Sequence, residues 1–106
     1  MRVDRLSAMT RGWFVGDFEP AAHRTGDVEV AVKHFAAGEA EERHVHRVAT
    51  EITAVVSGTV RMDRRDLGAG DVLTVEPGEP SDFLALTDAT VVAVKLPGVP
   101  GDKFPC

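Results

Sequence analysis

The sequence predicts an all-β chain of one domain, folded as a β-sandwich or a barrel-like roll. Three observations carry that prediction. About eight short stretches, several rich in valine, are separated at close spacing by Gly, Pro, Asp and Ser turn signals. No segment repeats its apolar residues at helical spacing. A length of 106 residues suffices for one hydrophobic core and leaves no room for a second.

The elements follow in order. Residues 1–12 are a polar arm with Arg2, Arg5 and Arg11, compatible with a short helix or irregular chain. Trp13-Phe14-Val15, broken by Gly16-Asp17 and followed by Phe18, reads as a short strand and turn whose aromatics fill the core or a subunit interface. Pro20–Gly26 is a loop in which His23 is a solvated side chain. Asp27–Phe35 alternates, with Val28, Val30, Val32 and His34 on one face and Glu29, Ala31, Lys33 and Phe35 on the other. Both faces mix apolar and polar residues, so the pattern does not say which one points inward. Glu39–Arg43 reads as an acidic surface loop. Glu51–Val56 and Thr59–Met62 are strands, Asp63–Asp66 a charged hairpin tip and Leu67–Gly70 a Gly-rich turn. Asp71–Val75 is a strand stopped by Glu76-Pro77-Gly78-Glu79-Pro80, where two prolines forbid ladder pairing. Ser81–Leu86 and Ala89–Leu96 are the last strands, and a Pro/Gly-rich tail, 97–106, wraps the surface.

The chemistry concentrates between Gly38 and Gly58. His44 and His46, two apart, project from one face of an extended strand. Glu51, at an odd offset of five from His46, reaches that face only if the chain turns between them. Arg47-Val48-Ala49-Thr50 is long enough to make the turn. Two neutral imidazoles and one carboxylate would then converge from adjacent strands, a ligand set suited to a divalent metal.

Composition narrows the partners. The net charge of −5 argues against a nucleic-acid backbone. No apolar run approaches the ~18 residues of a membrane span, and the N-terminus has no signal-peptide core. The single cysteine, Cys106, cannot form an internal disulfide, which suits a reducing compartment. The expected location is the cytoplasm. There is no Gly-rich phosphate loop, nucleophile elbow or plausible cysteine nucleophile.

The spacing of Gly38, His44, His46, Glu51 and Gly58 resembles the first signature motif of the cupin superfamily. That resemblance implies a single-domain jelly-roll β-barrel in which His44, His46 and Glu51 bind a metal inside the barrel. The second cupin motif is matched in part. Gly70 and Gly78 stand at the right separation and Phe83 takes a common apolar position. Glu76, with Pro77 beside it, stands where proline is usual, and Ser81 stands where the fourth ligand histidine is expected. Three readings follow. Metal is held by His44, His46 and Glu51 alone, with Fe, Mn, Zn and Ni all acceptable. Or Asp82, Glu76, His34 or Ser81 completes the set. Or the barrel binds a small molecule without metal.

Cupins include isomerases, lyases, decarboxylases, dioxygenases and binding domains, so the resemblance alone does not choose a reaction. The leading expectation is a metal-dependent isomerase, epimerase or lyase on a sugar or a hydroxy/keto acid. Its candidate catalytic residues are Glu76, Asp82, His34 and Lys95. An Fe(II) dioxygenase and a non-catalytic small-molecule-binding cupin are the alternatives. Lys33 and Lys95 interrupt apolar strands; the simpler expectation points both to solvent, whereas inside a barrel either can bind an anionic substrate. Small cupins are commonly dimers, and a homodimer burying Trp13, Phe14 and Phe18 is expected.

Overall fold

The computed structural model describes residues 1–106. After one 3₁₀ turn at Leu6–Ala8, the chain forms eleven strands. These are β1 (Trp13–Gly16), β2 (His23–Arg24), β3 (Glu29–Phe35), β4 (Ala40–Val45), β5 (Thr50–Ser57), β6 (Thr59–Met62), β7 (Arg65–Gly68), β8 (Val72–Val75), β9 (Ser81–Ala85), β10 (Ala89–Leu96) and β11 (Phe104–Pro105). They assemble into a six-stranded sheet, β2-β1-β3-β10-β5-β8, and a five-stranded sheet, β11-β4-β9-β6-β7. Neighbouring strands pair antiparallel, except β1 with β2. The two sheets pack into a jelly roll.

Four stretches differ from the sequence reading. Pro20–Gly26 is not all loop, because His23 and Arg24 form β2 beside Val15 and Gly16 of β1. Glu39–Arg43 is not a surface loop, because Ala40–Arg43 belongs to β4, which pairs with β9. The charged segment after Met62 turns in only two residues, Asp63 and Arg64, at φ 46° and 65°. That left-handed pair matches the twist of a tight hairpin, so Arg65–Gly68 continues as a strand on β6 instead of a turn. The tail contributes β11, whose Phe104 and Pro105 pair with Val45 and His44. The strands at 13–16, 29–35, 50–57, 59–62, 72–75, 81–85 and 89–96 lie where alternation and turn residues place them.

The apolar core occupies one end of the space between the sheets. Val55, Ala89 and Val91 from the six-stranded sheet meet Val60, Met62, Phe83 and Ala85 from the other, with Phe35, Leu67 and Leu73 around them. The rings of Phe35 and Phe83 lie 4.3 Å apart. Val60 and Val91 are completely enclosed, each contributing about 1.5–3 kcal/mol. Gly58 makes the tight link from β5 to β6 at φ +81°, and a Cβ there would sit 2.1 Å from the Asp88 carbonyl oxygen. At the other end the inward positions are polar. Cross-strand partners share a face, so Glu29, Lys95 and Glu51 form one inward row across β3, β10 and β5. Ala31 takes the next inward register on β3, opposite Ala93, and Lys33 the one after it, opposite Val91.

Candidate metal centre

The centre is built by a change of sheet. His44 lies in β4 of one sheet and Glu51 in β5 of the other, with His46 at the start of the connection. The turn required by the odd offset is therefore present, as the crossing between sheets. Its backbone is fastened by Asp102, from the C-terminal tail. The buried carboxylate of Asp102 accepts hydrogen bonds from the N–H groups of Arg47 at 2.7 Å, Val48 at 3.1 Å and Ala49 at 2.9 Å. Burial pulls the Asp102 pKa up, but the backbone N–H groups of Ala49, Arg47 and Val48 outweigh it and hold the group below the ordinary carboxylate value. The Arg47 guanidinium also lies 3.8 Å from the Phe104 ring centre. The tail thus clamps the connection that brings Glu51 to the histidines.

The donor atoms of His44, His46 and Glu51 all lie within 4.8 Å of one another. Two donors bound at ~2.1 Å to one ion stand about 3.0–3.4 Å apart in octahedral or tetrahedral geometry, so a closure of about 1–2 Å completes a site. His44 Nδ1 is 2.7 Å from the Glu42 carbonyl oxygen. A carbonyl can only accept, so Nδ1 carries the proton and Nε2 keeps its lone pair for an ion. His46 Nδ1 lies 3.4 Å from Glu51 Oε2. Burial holds His46 below the usual imidazole range; Glu51 opposes that shift, while Lys95 and His44 add to it. A neutral, buried His46 is the form a metal requires. In residue type, protonation and spacing, the three side chains fit one divalent ion.

Ser81 is the direct cross-strand partner of His44. It lines a hollow of about 20 Å³ beside His44, His46 and Glu51, a volume that accommodates a single water. The loop before Ser81 is tied to the centre by its backbone, since Gly78, at φ +85°, donates to the His46 carbonyl at 2.8 Å.

The other sequence candidates are placed unequally. Glu76 accepts from the Thr50 hydroxyl at 3.2 Å and lies outside the lining of the main cavity. Asp82 touches the small hollow but accepts from the Asp63 N–H at 2.8 Å and faces Arg43 at 3.6 Å. His34 is exposed at the cavity rim, its Nδ1 2.9 Å from the Thr90 hydroxyl. Lys95 lines the cavity on the same inward row as Glu51. Neither lysine points to solvent as the simpler expectation had it: the side chains of Lys33 and Lys95 are only 20% and 22% exposed. Trp13 also lines this cavity, beneath both lysines, so it is not a surplus surface aromatic.

The cavity measures about 820 Å³, within the usual range for small-molecule sites. Besides the residues above it exposes Glu41, which the sequence reading had put in a surface loop. A bulge in β4 between Glu41 and His44 turns both side chains inward despite their odd separation. No turn signal marks that bulge. Glu41 was therefore invisible to pattern, whereas the inward face of Lys95 follows once Ala89, Val91 and Ala93 are recognised as its small, buried neighbours along the strand.

With this geometry established, comparison with known proteins is decisive about family. The family model for the cupin domain matches residues 31–96. The chain belongs to the cupin family. Among curated proteins it is similar to acireductone dioxygenase of Geobacillus thermodenitrificans, 30% identical over 99 residues, covering 84% of this chain and 52% of that protein. The cupin chain thus spans about half the length of that relative. Among solved structures it is similar to an uncharacterised conserved protein with a double-stranded β-helix domain from Klebsiella pneumoniae. There the TM-score is 0.68 at 27% identity, over 73% of this chain and 69% of that one. It is also similar to KdgF from a Halomonas species, with a TM-score of 0.65 at 25% identity, over 72% of this chain and 74% of that one. No helix in the chain is long and apolar enough to cross a membrane.

Proposed function

We propose that this cupin is a metal-dependent small-molecule enzyme that performs non-redox isomerase, epimerase or lyase chemistry on a sugar or a hydroxy/keto acid. The observation that carries the reading is the convergence of His44, His46 and Glu51 within 4.8 Å on the wall of an 820 Å³ cavity lined with further charged groups. A divalent Fe, Mn, Zn or Ni ion held by these three residues supplies Lewis-acid polarisation of a substrate carbonyl, carboxylate or hydroxyl. The chain's own residues do the rest. The Glu42 carbonyl fixes the His44 ring, and burial keeps His46 neutral. Proton transfer falls to Glu41, whose carboxylate faces the cavity with only loose cationic neighbours, Lys33 at 3.6 Å and Lys103 at 3.8 Å. Glu76 and Asp82 are held by Thr50 and by Asp63 and Arg43, and His34 stands at the rim. Lys95 acts on the charge of the substrate.

The similarity to an acireductone dioxygenase favours a second reading, an Fe(II) dioxygenase, because two histidines and one carboxylate also suit non-haem iron. The reactions separate in D₂O. Metal-loaded protein, incubated under nitrogen with a panel of 2-hydroxy acids, 2-keto acids and sugars, should exchange or rearrange a C–H next to a carbonyl or hydroxyl in one of them by NMR. Turnover that needs O₂ and consumes it overturns the non-redox reading in favour of the dioxygenase. Saturable binding with no chemistry under either gas leaves a binding cupin.

The homodimer we propose uses the outer face of the six-stranded sheet, where Val30, Val32, Ile52, Val92 and Val94 share one side in register. The exposed Cys106 thiol suits a cytoplasmic location.

A further inference from the structure

Lys33 and Lys95 converge on the only tryptophan of the chain. Their ammonium groups lie 5.0 Å and 4.8 Å from the centre of the Trp13 ring. Trp13 pairs with Ala31, and Ala31 with Ala93, so two enclosed alanines form the floor on which the ring lies. The ion pairs available to the lysines are loose: Lys33 to Glu41 at 3.6 Å and Lys95 to Glu29 at 3.5 Å. An ammonium has three donors, so each lysine can meet an anion in the cavity while keeping its carboxylate neighbour. Cations are also more frequent in the cavity wall than in the chain as a whole. Arg11, Lys33, Lys95 and Lys103 line it beside only Glu39, Glu41 and Glu51, in a protein of net charge −5.

We propose that Lys33, Lys95 and Trp13 form a carboxylate-binding subsite, so that the substrate is a small hydroxy- or keto-acid and not a neutral sugar. The inference rests on reading this cavity as the active site, and it selects between the substrate classes left open there. Lys95 is the cross-strand partner of Glu51, and Lys33, Lys95, His44, His46 and Glu51 line one cavity. A carboxylate on the lysines therefore shares that cavity with the histidine–glutamate cluster. The ammonium groups give charge, and the indole face excludes water from one side of the bound acid.

The chain has one tryptophan and no tyrosine, so its intrinsic emission reports Trp13 alone. The experiment titrates chelator-treated, metal-free protein at constant ionic strength with malonate, with lactate and with glucose, following that emission. The subsite predicts a saturable change with malonate and lactate and none with glucose. It also predicts at least tenfold weaker malonate binding in Lys33→Met and in Lys95→Met, with Lys95→Arg retaining most of it. An emission change of equal size with glucose, or no saturable change with either acid, overturns the proposal in the wild-type protein alone, whether or not the variants fold. Unchanged malonate affinity in folded Met variants overturns it as well. Because the titration uses no metal, malonate binding in a protein that never takes up an ion would sink the metal reading and leave the subsite standing.

Discussion

Replacing Asp102 with alanine tests the clamp on the sheet-to-sheet connection. The carboxylate receives the N–H groups of Arg47, Val48 and Ala49, and hydrogen bonds to a charged partner contribute about 1.5–3 kcal/mol each when nothing replaces them. Arg47 and Val48 are exposed, so water takes over most of their bonds. Ala49 is 2% exposed, and its N–H would be stranded. The loss is therefore about 2–4 kcal/mol, dominated by Ala49. For a chain of this size that lowers Tm by roughly 10–20 °C. A loosened connection also moves Glu51 against the histidines, and metal affinity should fall about tenfold or more. The pH dependence has a definite sign. Asp102 is depressed in the folded state, so its contribution is present above the unfolded carboxylate value near 3.8 and is lost as pH falls through the lower folded-state value. Differential scanning calorimetry of wild type and Asp102→Ala from pH 7 to pH 3 reads both effects. The gap in Tm should be full at pH 7 and narrow below about pH 4. A variant that melts within about 2 °C of wild type at pH 7, with unchanged metal affinity, refutes the clamp.

Other consequences are open to direct measurement. Gly58→Ala forces a Cβ into the Asp88 carbonyl at a left-handed φ and should cost about 2–3 kcal/mol in urea unfolding; a neutral result would mean the β5–β6 link is more pliable than its geometry. Val91→Ala removes two buried methyl groups from the core and should cost about 2–3 kcal/mol with little change in metal content. Light scattering should give a mass near 23 kDa, twice the 11.4 kDa chain, and Val92→Lys on the outer face should return it to the monomer value. A wild-type mass of one chain removes the dimer.

Much of the fold was legible because its strands are short, valine-rich and punctuated by Gly and Pro. The misplaced lysines have one physical origin. In most sheets apolar side chains face inward and polar ones outward, yet near this cavity the six-stranded sheet is reversed, with Glu29, Lys33, Lys95 and Glu51 inside and Val30, Val32, Ile52 and Val94 outside. Alternation shows two faces and cannot say which is inner when a functional cavity inverts the rule. His44, His46 and Glu51 were readable because their spacing requires a turn and the intervening residues allow one. Glu41 was not, since its inward aim depends on a bulge that leaves no residue signature. The bonds of Asp102 to the 47–49 backbone were not, since they link residues fifty-odd positions apart in sequence. Trp13 was left between core and subunit interface because a large aromatic near an N-terminal arm suits either as well as a cavity wall.

The central claim is that His44, His46 and Glu51 hold one divalent ion. Crystals of protein reconstituted in turn with Fe, Mn, Zn and Ni, measured at each metal's absorption edge, test it most directly. The account predicts one anomalous peak per chain, about 2.0–2.2 Å from a ring nitrogen of each histidine and an oxygen of Glu51, and absent in Glu51→Ala. A peak elsewhere in the chain, or none with any of the four ions, would contradict it.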